Sequence, residues 1–163
     1  ELGHCRPTVL GHSGKYLENG KYEQYGDGTS FMSSLNSHKL TAPQLYVEGW
    51  FPENKVAEYE WGSVSVDYII DSLDTPNTGD NLKAVLIPRE GKSPLFLSMP
   101  TVDGKRLLAL HCPYGSKPGS LGHGSQRILV FSNSAEYEGL SFVKINEADD
   151  CCTVRVTPKP PKP

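Results

Sequence analysis

The sequence predicts an all-β protein built from about nine or ten short strands. Apolar and polar residues alternate over strand-sized runs, and Gly, Pro, Asn and Asp separate these runs. Patterns with the 3.6-residue period of a helix are nearly absent. With 163 residues the chain has the usual size of one domain. We therefore expect a single domain over residues 1–157, folded as an antiparallel barrel, a β-trefoil or a sandwich.

The first predicted element is a hairpin over residues 15–25. Asn19-Gly20 lies between two short Tyr-bearing runs, and this dipeptide favours the tight turn that joins neighbouring antiparallel strands. Residues 44–50 follow as a predicted strand.

A longer predicted strand covers residues 55–71 and contains an interruption. Its apolar positions shift by one residue at Gly62-Ser63, after which Val64, Val66, Tyr68 and Ile70 share one face. An extra residue at a glycine indicates a β-bulge, which would keep the apolar side of the strand inward.

The rest of the domain reads as short strands joined by turns. Six further strands are predicted, at residues 82–87, 95–99, 106–112, 126–132, 140–145 and 151–157. On the last strand, Cys152 is expected to point into the core and Cys151 to the opposite side. Residues 158–163 are rich in Pro and Lys and are expected to form an extended tail outside the sheets, because proline donates no backbone hydrogen bond.

Four cysteines indicate an oxidising, extracellular location. Their number is even, and Cys5, Cys112, Cys151 and Cys152 contain no CxxC pair. A bond between the neighbours Cys151 and Cys152 would be strained. We therefore expect two long-range disulfides in which Cys5 and Cys112 each pair with one of these neighbours, in either arrangement, and a secreted protein.

Charge and hydropathy exclude two classes of partner. The net charge of −3 gives no electrostatic attraction to nucleic acid or to an anionic membrane surface. The longest apolar runs are strand-sized, well short of a membrane-spanning helix. We expect a monomer that binds neither nucleic acid nor a membrane.

Two groups of residues in the sequence are candidate metal ligands. Three imidazoles from His4, His12, His111 and His123 would suit zinc or copper, but the close spacings typical of such sites are absent. The acidic stretch at residues 71–81 offers oxygen ligands for calcium, yet the same residue types are the ordinary composition of a turn. Its candidate ligands are Asp71, Asp74, Asn77 and Asp80. We expect no metal and no cofactor.

No motif for catalysis is present. The sequence lacks Gly-x-Ser-x-Gly and any glycine-rich phosphate loop. Cys112 follows His111, but in a secreted chain it is expected to form a disulfide rather than act as a nucleophile. We expect no catalytic residues and no enzymatic activity.

Surface loops on a rigid β scaffold are therefore the expected means of function. The first candidate loop covers residues 113–125, with Tyr114, Ser116, Lys117, Pro118, Leu121 and His123 as expected partner contacts. The second covers residues 26–42, with Phe31 and Met32 as apolar anchors. In general composition the chain resembles extracellular protease inhibitors and small secreted effectors of microbes. This resemblance implies a protein partner, with blockage of an extracellular host protease as the leading expectation.

The alternative is a carbohydrate-binding, lectin-like module. The chain has eight Tyr and two Trp, and exposed aromatic rings can stack on sugar faces. Trp50 and Trp61 lie at predicted strand positions, and Tyr16, Tyr22 and Tyr25 lie on the predicted hairpin. Most of these rings are more simply explained as core residues or cross-strand pairs. A sugar-dependent change in tryptophan fluorescence would favour this alternative, whereas fully buried indoles with no response would weaken it.

Overall fold

A computed structural model of the protein describes residues 13–16, 22–23, 41–47, 49–62, 64–76, 79–102, 104–114 and 124–159. The first strands are β1 (Ser13–Tyr16), β2 (Tyr22–Glu23), β3 (Val56–Glu58), β4 (Val66–Asp71), β5 (Ala84–Arg89), β6 (Lys92–Ser98) and β7 (Thr101–Val102). They are followed by β8 (Lys105–Arg106), β9 (Leu108–Tyr114), β10 (Gly124–Phe131), β11 (Ser134–Tyr137), β12 (Leu140–Glu147) and β13 (Cys151–Pro158). One α-helix, α1 (Ala42–Val47), and one 3-10 turn (Glu53–Lys55) complete the described elements.

The strands form two main sheets and a small ribbon. The larger sheet has the order β2-β1-β10-β9-β6-β5-β3, and the smaller has the order β11-β12-β13-β4. The ribbon pairs β7 with β8. Apart from the two-residue strands, ten strands lie in the two main sheets, in agreement with the predicted number.

The main core lies between the two sheets. Alternate residues of the larger sheet, including Leu97 on β6 and Leu110 on β9, belong to one buried cluster with Phe142 on β12 and Val154 on β13. Burial of this shared apolar surface holds the sheets face to face. The all-β prediction is confirmed, and of the three predicted architectures the two packed sheets correspond to a sandwich; no closed barrel is formed by the described strands.

The larger sheet is also covered on its outer face. Phe96 on β6 and Ala84 on β5 point away from the main core and form a second cluster with Ala42 of α1. The helix contacts β6, β9 and β10. The central strands are consequently buried on both faces. This burial explains why residues 107–110 form a near-continuous apolar run rather than an alternating one.

Two pairings differ from the predicted antiparallel fold. Strand β1 pairs with β10 in parallel, and β3 pairs with β5 in parallel. The predicted first hairpin is confirmed, because β1 and β2 pair antiparallel with Tyr16 opposite Tyr22. The segment between these two residues lies outside the described residues.

The predicted strand at residues 44–50 is wrong, because α1 occupies most of it. The Thr41 backbone N–H donates to Gln44 Oε1 over 3.0 Å, which forms the return half of a capping box at the helix start. At the other end, Gly49 has φ +74°, and Trp50 N donates to Leu45 O over 2.9 Å. This bond, with that from Gly49 N to Tyr46 O, forms a Schellman motif that ends the helix.

The predicted bulged strand at residues 55–71 is also wrong. The chain leaves the larger sheet after β3 and enters the smaller sheet at β4, so the register shift marks a crossing between sheets. Val66, Tyr68 and Ile70 face the core as predicted, but Val64 is 68% exposed. Val64 belongs to the connection, where no neighbouring strand fixes the alternation of its side chains.

The predicted pair of disulfides is not supported. Cys112, Cys151 and Cys152 are all free thiols, and Cys5 lies outside the described residues. Cys152 is buried and Cys151 is half-buried on the opposite side of β13, as predicted. Both expected arrangements required a bond from Cys112 to Cys151 or Cys152. The fold places Cys112 at one end of the core and these two neighbours at the other.

The predicted tail begins later than expected. Pro158 is the last residue of β13 and lies opposite Leu140, and Lys159 N donates to Gly139 O over 2.8 Å. Pairing between β13 and β4 stops at Val156, so β13 has one neighbour at Pro158 and the missing N–H is tolerated there. Within the described part of the chain, no helix has both the length and the apolar character needed to cross a membrane.

Candidate functional site

A pocket lies at one end of the sandwich. Several turns meet there, namely the segment after β3, the β5–β6 turn and the β11–β12 turn. The pocket has a volume of about 640 Å³, within the range usual for small-molecule sites. We call it the Trp61 pocket; its lining residues are Trp61, Pro88, Arg89, Glu90, Lys92 and Glu138.

Trp61 presents an exposed but fixed indole. It is 49% exposed, and its Nε1–H donates to Pro88 O over 2.7 Å. Its ring also contacts the buried Tyr59 ring edge to face, with centroids 5.5 Å apart. Tyr59 is itself held by a backbone bond from Tyr59 N to Leu86 O. An aromatic ring restrained in this way loses little conformational entropy when a ligand binds.

Three charged side chains are held together beside the indole. Glu138 accepts hydrogen bonds from the Arg89 guanidinium over 3.0 Å and from Lys92 Nζ over 3.1 Å. Arg89 Nε also donates to Ser93 O over 2.7 Å, and the Arg89 side chain is only 11% exposed. Burial works against ionisation of Glu138, but the hydrogen bonds and charges of Arg89 and Lys92 outweigh it and lower its pKa. The carboxylate is therefore ionised at neutral pH.

The turn that carries Glu138 is strained. Tyr137 pairs with Leu140, and the two residues between them have φ +44° at Glu138 and +81° at Gly139, as in a type I′ turn. Among described residues, Glu138 is the one non-glycine residue with positive φ. That conformation costs a residue with a Cβ about 1 kcal/mol. Strain of this kind clusters at functional sites, where surrounding contacts maintain it.

Beneath the charged group lie a thiol and a phenol. Burial raises the pKa of Cys112, although the neighbouring Arg89 guanidinium opposes the shift. Burial and the Glu138 charge likewise raise the pKa of Tyr137. A thiol with a raised pKa is protonated at neutral pH and is a poor nucleophile. The arrangement therefore suits binding by fixed polar groups and an aromatic surface.

Most of the predicted partner contacts cannot be placed. Tyr114 ends β9, where it pairs with Gly124 at the start of β10. Ser116, Lys117, Pro118, Leu121 and His123 lie outside the described residues, as do Phe31 and Met32 of the second predicted loop. The first loop therefore remains a prediction, although both strands that flank it are described.

The predicted histidine group cannot be assembled from the described chain. His111 is buried on β9 on the side of the sheet opposite Cys112, and His4, His12 and His123 lie outside the described residues. No group of three or more metal-ligating side chains occurs in the part of the chain that the structure describes.

The acidic stretch considered for calcium folds around two lysines. Lys83 Nζ donates to Ser72 O over 2.8 Å and to Thr75 Oγ1 over 2.6 Å. Lys55 Nζ donates to the carbonyl oxygens of Gly79 and Asn81. Asp71, the first acid of the stretch, accepts from Asn81 Nδ2 over 3.0 Å, and Asn77 lies outside the described residues. Ammonium groups thus occupy the carbonyl-lined interior of this segment.

Arg89, Lys92 and Glu138 were not predicted as site residues. Each lies at a turn, where charged residues are ordinary, and their contact joins elements about 50 residues apart. Glu138-Gly139 in place of the usual Asn-Gly is the one local signal that could have indicated this turn. Trp61 was predicted only as one of several aromatic residues in the carbohydrate-binding alternative.

Comparisons with known proteins found no matching family model, no similar curated protein and no similar solved structure.

Proposed function

We propose that this protein is a carbohydrate-binding module whose ligand binds in the Trp61 pocket. The observation that carries the proposal is the half-exposed indole, fixed by Tyr59 and Pro88 O and placed beside three charged hydrogen-bonding groups. The C–H groups on one face of a sugar ring are apolar and carry a slight positive charge. They complement the negative face of an indole ring.

The charged residues supply the polar half of such a site. Arg89 and Lys92 are donors, and ionised Glu138 is an acceptor, so the three match the hydroxyl groups around the edge of a sugar ring. Their positions are fixed by mutual ion pairs before a ligand arrives, which reduces the ordering cost of binding. With Glu90, the pocket holds two positive and two negative groups, so a neutral saccharide suits it better than an acidic one.

Screening on an array of defined glycans tests the proposal. The wild-type protein is expected to bind at least one glycan family, and Trp61→Ala is expected to lower that affinity by about thirtyfold, the effect of removing an aromatic anchor. Trp50→Ala is the matched control, because Trp50 is also exposed, at 40%, but does not line the pocket. Absence of glycan binding, or equal binding by Trp61→Ala, would refute the proposal.

A protein partner remains the alternative proposal, with an extracellular protease as its specific form. It depends on the loop at residues 113–125, whose contacts lie outside the described residues. Secretion likewise remains a prediction, since the expected disulfides that indicated it are not supported. Residual activity of a panel of secreted proteases, measured at increasing concentrations of the protein, distinguishes this alternative from glycan binding.

A further inference from the structure

A second groove lies on the outer face of the larger sheet, and none of the described residues that line it also lines the Trp61 pocket. It has a volume of about 210 Å³ and runs between the end of α1 and strand β3. We call it the β3 groove. Its walls are formed by Tyr46, Phe51, Val56 and Leu86, and two acidic residues, Glu53 and Glu58, also line it.

The apolar walls of the β3 groove are fixed by packing. Tyr46, Phe51, Val56 and Leu86 all pack against the buried pair Ala84 and Phe96. The Tyr46 ring lies 5.2 Å from the Phe96 ring, centroid to centroid. The groove is therefore already formed in the protein alone.

The two carboxylates of the groove have no partner among the residues that the structure describes. Glu53 and Glu58 are exposed, and neither makes an ion pair or a side-chain hydrogen bond within the described part of the chain. Other acids are paired, as Asp67 is with Arg155 and Glu138 is with Arg89. Two unpaired carboxylates beside an aromatic, aliphatic groove complement a ligand with an apolar stem and a cationic end.

We propose that the β3 groove binds a long basic side chain, lysine or arginine, from a partner peptide. The methylene stem would lie along Val56 and Leu86, and the cation would contact the two carboxylates and an aromatic face. Among the described strands, β3 is the last of the larger sheet, so an extended peptide can lie beside it. This site is separate from the Trp61 pocket and does not depend on glycan binding.

Nuclear magnetic resonance titration with short peptides tests this site. The probes are an acetylated Gly-Ser-Lys-Ser-Gly amide and the same peptide with norleucine, which keeps the apolar stem and removes the charge. The lysine peptide is expected to shift the backbone amides of Val56, Glu58 and Leu86 saturably. We expect the norleucine peptide to bind about five- to tenfold more weakly, the combined effect of exposed ion pairs and a cation–π contact.

Variants separate a specific site from general attraction. Glu53→Gln combined with Glu58→Gln is expected to reduce lysine-peptide affinity to that of the norleucine peptide. Glu90→Gln, which removes an exposed carboxylate from the other pocket, is expected to leave it unchanged. All three positions are exposed, so the fold should survive. Equal binding of both peptides, or no shift at about 10 mM peptide, would overturn the proposal.

Discussion

The buried thiol of Cys152 is expected to make the stability of this protein sensitive to alkaline pH. Cys152 is 2% exposed and packs in the core with Val154 and Val156. Burial is the main cause that raises its pKa from the ordinary 9.0 to about 11, with Lys144 opposing the shift and Glu147 adding to it. A group whose pKa differs between the folded and unfolded states makes the free energy of unfolding depend on pH.

The expected pH effect has a definite sign. Above about pH 9 the Cys152 thiol loses its proton in the unfolded chain but keeps it in the native state. The native state then binds more protons, so stability present below pH 9 is lost as the pH rises through about 11. A shift of this size corresponds to about 2–3 kcal/mol. Between about pH 8 and 11, the free energy of unfolding of Cys152→Val is expected to fall by about 2–3 kcal/mol less than that of the wild type.

Urea unfolding in a reducing buffer, at several pH values, measures this difference. Cys151→Ser is the matched control, because Cys151 is the neighbouring thiol on the opposite, more accessible side of β13. It should show the same alkaline loss as the wild type. If Cys152→Val loses stability in parallel with the wild type, the Cys152 thiol does not cause the effect.

Single residues were predicted well where strand alternation was regular. Side chains alternate between the two faces of a strand, which predicts that Cys152 on β13 points inward and Cys151 outward. The structure confirms both directions. Val64 was placed wrongly, because the same rule was applied across a segment that belongs to neither sheet. The place of Glu138 in the Trp61 pocket could not be predicted, because it depends on hydrogen bonds from Arg89 and Lys92, which lie more than 40 positions earlier in the chain.

At the scale of elements, the segment between β4 and β5 is organised by buried lysines. Lys83 is 1% exposed, and its Nζ donates to Ser72 O over 2.8 Å, to Thr75 O over 2.5 Å and to Thr75 Oγ1 over 2.6 Å. Burial lowers the pKa of Lys83, while the charge of Asp71 opposes the shift. The ammonium group thereby satisfies carbonyl oxygens that a metal ion would satisfy in a calcium loop.

Removal of this ammonium group should destabilise the fold. In Lys83→Met the apolar stem is kept, but Ser72 O and Thr75 O lose their charged donor inside the protein. Hydrogen bonds from charged donors contribute about 1.5–3 kcal/mol each, and relief of the buried charge offsets part of this loss. We expect a decrease of about 2–4 kcal/mol in the free energy of unfolding, measured with urea.

Lys105→Met provides the comparison for that variant. Lys105 is exposed on β8, so the same chemical change is expected to alter stability by less than about 0.5 kcal/mol. Equal stability of the two variants would mean that the lysine does not organise the segment. Addition of calcium to either variant is expected to have no effect on the unfolding midpoint.

Short elements show the limit of local pattern. Residues 44–50 contain an apolar run that fits a strand or a helix equally well at that length. Two signals favoured the helix, namely Thr41 three residues before Gln44 and Gly49 after the last apolar residue. Most of the later strands were found within a few residues, because their turns carry glycine at positions of positive φ such as Gly91 and Gly104.

At the scale of the whole molecule, the class was predictable and the architecture was not. Alternation and turn residues suffice for an all-β prediction, since both are local properties of the chain. The choice among barrel, trefoil and sandwich depends on which strands pair. The parallel pairing of β1 with β10 joins residues more than 100 positions apart, and no feature of residues 13–16 specifies that partner.

The same long-range arrangement determines the state of the cysteines. Cys112 lies beside Arg89 at the pocket end of the core, where Pro158 ends β13. Cys152 is the second residue of that strand and lies about 20 Å from Pro158 at the usual rise per residue, whereas a disulfide needs Cα atoms within about 7 Å.

Cys112 is a free thiol in the structure, and we expect that it forms no bond with Cys151 or Cys152 in solution. Alkylation in guanidinium without reductant, followed by peptide mapping, should find Cys112 fully alkylated. If Cys5 bonds to Cys151 in solution, this result is unchanged, because Cys112 takes no part in that bond. A peptide that joins Cys112 to Cys151 or Cys152 would show instead that the two ends of the core are arranged differently in solution.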